Sequence, residues 1–142
     1  MKYFDCHADT LTQVIKEGES LEKNTCDIDL QRIEKFADTY TQIFAIWKNR
    51  KEILPGTESS VFRKSYEKAM KLLQKAENKI RLCTSAKEME DAHQNGKAAA
   101  FLSVEDVSIM GKDVERIREL GILFVLLSWN YKNEYACGAA FD

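Results

Sequence analysis

Within the first nine residues, Asp5-Cys6-His7-Ala8-Asp9 sets an ionisable side chain at every second position. Residues two apart on a strand share a face. Asp5, His7 and Asp9 would then project one way, and Cys6 and Ala8 the other. Tyr3, Phe4 and Cys6 suit a buried strand, and a buried face carrying three polar groups is costly unless something compensates them. A divalent metal does so: neutral imidazole and carboxylate suit zinc and first-row metals generally. The H-x-D pattern is short, and a plainer reading also fits it, with Asp9 capping the helix that follows and His7 a hydrogen-bonded core histidine. A third donor comes from far along the chain. The run 98–104 is apolar without alternation, as in a strand buried on both faces, and it ends in Glu105. That carboxylate could serve only to favour a helix N-terminus. Beside His7 and Asp9 at another strand end, it completes a metal-binding set.

These residues need elements to position them. A strand through residues 3–9 leads into a short helix from Thr10 that Gly18 ends. Residues 19–27 are polar and read as loop. Asp29 is an N-cap for a helix over 30–36, and the β-branched and aromatic run 41–47 predicts a strand. After the Pro55-Gly56 turn, Phe62, Tyr66, Ala69, Leu73 and Ala76 form one apolar stripe of a helix over 57–77. A short strand falls at 79–83. Ser85 with Glu88 makes a capping box opening a helix to Gln94, and His93 sits near its end as a solvated or helix-terminal residue. Residues 107–120 read as helix in their later part. Residues 122–127 are the most hydrophobic strand, ending at Ser128-Trp129-Asn130, and 131–142 reads as loop.

Strand alternates with helix, giving five strand candidates and hence an α/β fold of parallel βαβ units. His7, Asp9, Glu105, Trp129 and Asn130 all fall at strand C-termini, the end that carries active sites in (β/α)8 barrels and open α/β sheets. The 142 residues suffice for one domain with a real core. A net charge of −2 with both signs interspersed offers no case for nucleic acid. The longest apolar run, 121–127, is too short to cross a bilayer, and Asp5 and His7 interrupt any early signal-like stretch. Cys6, Cys26, Cys83 and Cys137 form no C-x-x-C pair. They are expected to be free thiols of a cytoplasmic chain.

Three of these stretches together resemble the renal (membrane) dipeptidase family, zinc peptidases on a (β/α)8 barrel. Asp5-Cys6-His7-Ala8-Asp9 is similar to that family's first-strand D-x-H-x-D, and Ser103-Val104-Glu105 to its G-V-E or S-I-E strand end. The stretch from Leu120-Gly121-Ile122 to Ser128-Trp129-Asn130 is similar to its L-G-V-R-Y-x-x-L-T-x-N. Asp29-Leu30 with Thr41-Gln42-Ile43-Phe44-Ala45 resembles the second strand and its approach more weakly. The resemblance implies a zinc-dependent dipeptidase acting on small dipeptides, with two Zn2+ per complete site. It implies that His7 and Asp9 hold one zinc and that Glu105 bridges two. Trp129 and Asn130 would lie on the substrate side, and Asp5 would support the ligands from behind.

Two departures stand beside it. Trp129 occupies the place where many members of the family carry a histidine that helps hold the substrate. A (β/α)8 barrel typically needs about 250 residues, and the family's later histidines, arginine and aspartate have no counterpart here. Residues 1–142 are therefore expected to be the N-terminal portion of a single barrel, about its first five strands, from a fragment, a truncated product or a larger chain. The alternative is a non-catalytic half-barrel that associates, with copies of itself or with a missing C-terminal portion, through its open sheet edges. A third reading, an aspartate-nucleophile phosphatase built on Asp9-Thr10-Leu11, fails because that chemistry wants an acid two residues earlier, where His7 stands.

Overall fold

A computed structural model of the chain describes residues 1–140. Strand β1 (Lys2–Ala8) leads to helix α1 (Thr10–Glu17), the short α2 (Leu30–Ile33) and strand β2 (Thr39–Trp47). Helix α3 (Glu58–Lys75), strand β3 (Ile80–Leu82) and helix α4 (Ala86–Gln94) come next. Strand β4 (Ala98–Glu105), a 3-10 segment (Val107–Arg116) and strand β5 (Ile122–Leu126) complete the order. The local signals act as expected. The Asp29 carboxylate accepts from the Arg32 N–H at 2.7 Å, Ser85 Oγ accepts from the Glu88 N–H, and α1 stops at Gly18.

All ladders are parallel. The fold is α/β, a five-stranded parallel sheet flanked by helices, the architecture of a partial (β/α)8 barrel. β1, β2 and β4 lie side by side, and β4 meets two strands along its far edge. β3 pairs with residues 98–100 and β5 with residues 102–105. Phe44, Ile46, Ala100, Leu102 and Val104 on one sheet face join Phe62, Ala69 and Leu73 of α3, Ala76 just beyond it and Leu11 of α1 in the main core. Ile43, Ala99 and Phe101 on the other face join Ala92 and Met89 of α4. Only the part of this second face near the strand N-termini is covered by α4. The C-terminal part is open.

Four expectations are corrected. Strand β1 is not buried: Tyr3, Phe4 and Cys6 are all exposed, since β1 is an edge strand paired with β2 alone. The most hydrophobic strand candidate, 122–127, whose apolar faces are expected to lie under the helices, is not covered: Leu123 through Leu127 are exposed by about two-fifths to one-half. β5 is an edge strand with β4 on one side only, and among the described residues no helix follows to cover it. Residues 107–116 form 3-10 turns because Gly111, at φ 54 and ψ −129, breaks the helical path. That kink brings the segment onto the start of α3. A Cβ on Gly111 would lie 2.9 Å from Ser59 Oγ, and Ser59 Oγ accepts from Lys112 N–H and donates to the Met110 carbonyl. The helix opened by Asp29 is α-helical only to Ile33, and Phe36 beyond it is exposed.

Candidate metal centre

β1 and β4 are separated by β2, so His7 and Glu105 must reach towards each other across an intervening strand. On the open face β2 presents Ala45 there, paired with Ser103 and fully buried, a side chain of one methyl group. The three donors do converge. His7 Nε2 lies 3.4 Å from Glu105 Oε2 and 3.7 Å from Asp9 Oδ2, and a ligand atom of each lies within 4.8 Å of the others. The group is graded in exposure. His7 and Asp9 are about half exposed, at 51% and 46%, whereas Glu105 is 16% exposed. Burial pushes the Glu105 carboxyl above its ordinary range; His7 draws it partly down and Asp9 pushes it up further. One imidazole nitrogen and two carboxylate oxygens within a few ångströms form a donor set that fits a divalent cation.

The plainer readings lose their footing. Asp9 precedes α1, yet its side chain makes no capping bond. The cap after β4 is Asp106, whose carboxylate accepts from Ser108 N–H, which leaves the Glu105 side chain to face His7.

Asp5 does not join the group. From Asp5 to Ala8 β1 advances three residues while β2 advances two, from Gln42 to Phe44. This one-residue bulge breaks the alternation that would have aligned Asp5 with His7. The Asp5 carboxylate instead accepts from the His7 backbone N–H at 3.0 Å. It steadies the bulge and not the imidazole. The bulge also brings Cys6 and His7 to the same cavity, one of about 370 Å³ that Ile43, Ser103, Glu105, Phe124 and Leu126 line as well. His93 lies elsewhere, in the last turn of α4 as expected, its Nε2 3.1 Å from both Thr41 Oγ1 and the Tyr40 carbonyl oxygen, so it fastens α4 to β2.

The Trp129-Asn130 turn follows β5. The Trp129 ring meets Trp47 edge to face at 5.1 Å and Tyr131 at 6.0 Å, and Trp47 is the register partner of Glu105. An aromatic wall thus stands beside the carboxylate, with Lys51 Nζ 3.8 Å above the Tyr131 ring. The turn is held from behind by Gly138, where a Cβ would lie 2.4 Å from the Asn130 carbonyl carbon. Sequence reasoning missed two residues that organise this region, Asp106 and Asn133. Asn133 donates to the Leu127 carbonyl and to Asp106 Oδ1, and its own oxygen accepts from the N–H groups of Tyr135 and Ala136. An Asn amid turn residues was the available signal. All four cysteines are free.

A parallel α/β sheet with a donor cluster at the C-terminal ends of its strands has the architecture of a barrel-type protein, with the cluster at the end where such proteins carry their sites. The chain belongs to the membrane dipeptidase family, peptidase family M19, whose model matches residues 1–142. Among solved structures it is similar to a metallopeptidase of family M19 described as dipeptidase AC, at 19% identity and a TM-score of 0.75, over 92% of this chain and 43% of that one. It is also similar to the probable dipeptidase PvdM from Pseudomonas aeruginosa, at 16% identity and a TM-score of 0.72, over 96% and 37%. A third likeness is to a metallopeptidase from Rhodobacter sphaeroides liganded with a phosphinate mimic of the dipeptide L-Ala-D-Ala, at 16% and 0.67, over 92% and 46%. The chain spans less than half the length of each of these three structures. No curated protein matches it. No helix of the described residues is long and apolar enough to cross a membrane.

Proposed function

We propose that this chain supplies the first part of a zinc-dependent dipeptidase site, in which His7 and Asp9 hold one ion and Glu105 bridges two. The observation that carries the reading is the meeting of three donors from two non-adjacent strands within 4.8 Å. When bound, zinc lowers the pKa of a water and polarises the carbonyl to be attacked. The chain's own residues do the rest. Asp5 fixes the backbone that carries His7. Burial of Glu105 keeps its carboxylate at the meeting point and shields it from bulk water. Trp129 and Asn130 border the place where a small dipeptide would lie, with Trp47 behind. The family match and the metallopeptidases among the similar structures support the reading. Free thiols fit a reducing, cytoplasmic setting.

Three donors are too few for two ions, since a catalytic zinc usually takes three protein ligands of its own. Residues 1–142 alone are therefore expected to bind about one zinc weakly and not to turn over an L,L-dipeptide, whereas a chain with the remaining ligands would. The test is calorimetric zinc titration of the 142-residue chain beside His7→Ala and Glu105→Ala, with a hydrolysis assay. Loss of the heat signal in both variants supports the site. Equal binding by all three chains overturns it. Turnover near the usual range of about 1–10³ per second would mean that a partner completes the site.

A second reading is favoured by one observation, the exposed apolar run of β5. In it the chain is a non-catalytic half-barrel that associates through its edges. Zinc binding without any self-association would set that reading aside.

A further inference from the structure

We propose that Asp106 is a positioning residue that both aims Glu105 into the metal site and docks the Trp129–Asn133 loop beside it. The inference rests on the zinc reading for its first half and on the described contacts alone for its second. Asp106 is the one non-glycine residue with positive φ among the described residues, at φ 64 and ψ 95. Such a conformation is strained for a side chain with a Cβ and persists only where its surroundings hold it. Here four hydrogen bonds do so. Oδ1 accepts from Ser108 N–H at 3.0 Å, Ser108 O–H at 2.6 Å and the Asn133 side-chain N–H at 2.8 Å. Oδ2 accepts from the Trp129 backbone N–H at 3.4 Å. The carboxylate is buried, at 2% exposure.

The geometry has two consequences. A turn with positive φ immediately after Glu105 ends β4 there and sends the two neighbouring carboxylates to different places. Glu105 faces His7, while Asp106 faces the interior and the loop. The same carboxylate grips the loop at both of its functional points, Trp129 and the organising Asn133. Glu105 and the aromatic wall are thus registered to each other through one side chain. Asp106 makes no bond to the Glu105 side chain and would act on it through the shared backbone; groups that orient a metal ligand commonly alter metal affinity by about 10–100-fold when removed.

The chain has two tryptophans, Trp47 and Trp129, so its near-ultraviolet circular dichroism in the indole region reports their edge-to-face contact. The experiment compares the 142-residue chain with Asp106→Gly, Asp106→Asn and Asn133→Ala, reading far- and near-ultraviolet spectra and zinc affinity. Asp106→Gly relieves the φ strain and deletes the grip. It should keep the far-ultraviolet spectrum, lose most of the indole signal and weaken zinc binding about tenfold. Asp106→Asn keeps the oxygen that three donors use and should recover most of the zinc affinity. Asn133→Ala leaves β4 untouched and should also lose the indole signal. An Asp106→Gly protein with unchanged indole signal and zinc affinity overturns the proposal. If that variant fails to fold, an unchanged indole signal in Asn133→Ala overturns it instead. If the unsubstituted chain binds no zinc, the first half of the proposal falls with the zinc site of these 142 residues, while the spectra still decide whether Asp106 docks the loop.

Discussion

Burial raises the Glu105 carboxyl above its ordinary range, so ionising it costs the folded chain stability that the unfolded chain does not lose. Below the ordinary carboxylate range Glu105 is protonated in both states and the cost vanishes. It grows as pH rises and is complete once pH passes the elevated folded value. Metal-free Glu105→Gln should therefore be more stable than the unsubstituted chain at pH 7, by on the order of 0.5–1 kcal/mol, and equal to it near pH 3. Urea denaturation at the two pH values measures this, and a less stable variant at pH 7 would contradict it. The convergence of His7, Asp9 and Glu105 was legible in the sequence because their types and their places at strand ends carry the signal. Simple alternation placed Asp5 on the face of His7 and Asp9, but a bulge of one residue breaks that alternation in β1, and nothing in Asp5-Cys6-His7 announces it. Asp106 was passed over because its role comes from a backbone conformation that local propensity does not favour.

Helix α3 lends Phe62, Ala69 and Leu73 to the main core beneath the sheet. Leu73 is 4% exposed within the main core. Leu73→Ala should cost roughly 2–5 kcal/mol; a loss below about 0.5 kcal/mol would mean the helix presents another face. The same helix is clamped to the 3-10 segment by Arg63, whose Nε and guanidinium N–H both donate to Asp113 at 2.8 Å. Those bonds hold the buried Asp113 carboxyl below its ordinary range, and the charges of Arg63 and Arg116 add to them. A depressed folded value means stability that is present at neutral pH and lost on acidification. Asp113→Ala should cost about 1.5–3 kcal/mol at pH 7, and the gap should close as pH falls through the carboxylate range. Thermal melts of both proteins across pH 3–7 test the sign. The helices with caps and clean stripes were readable. The segment over 107–120 was not, because Gly111 turns it onto Ser59 from a long way along the chain, a tertiary contact that periodicity does not encode.

For the whole molecule, the apolar character of residues 122–127 was legible but its burial was not. Burial depends on what covers a strand, and the described residues place no helix on β5. The open edge should make the chain associate with rising concentration. Leu123→Lys with Leu127→Lys, both away from the cavity lining, should shift sedimentation towards monomer, and an unchanged distribution would show that association runs through another surface.

The sharing of β4's far edge by β3 and β5 sets a gradient of opening across the sheet. β4 is bonded to three strands, whereas β1 is bonded to β2 alone. In amide hydrogen exchange β4 should be the last strand to give up its protons and β1 among the first. Glu105 thus sits at the slow end of that gradient and His7 and Asp9 at the fast end. His7 belongs to β1 and Asp9 directly follows it, so if β1 opens while β4 stays in place, the cluster would exist for only part of the time in the metal-free chain. Zinc would then be visible as protection gained by the amides of β1, with those of β4 hardly altered.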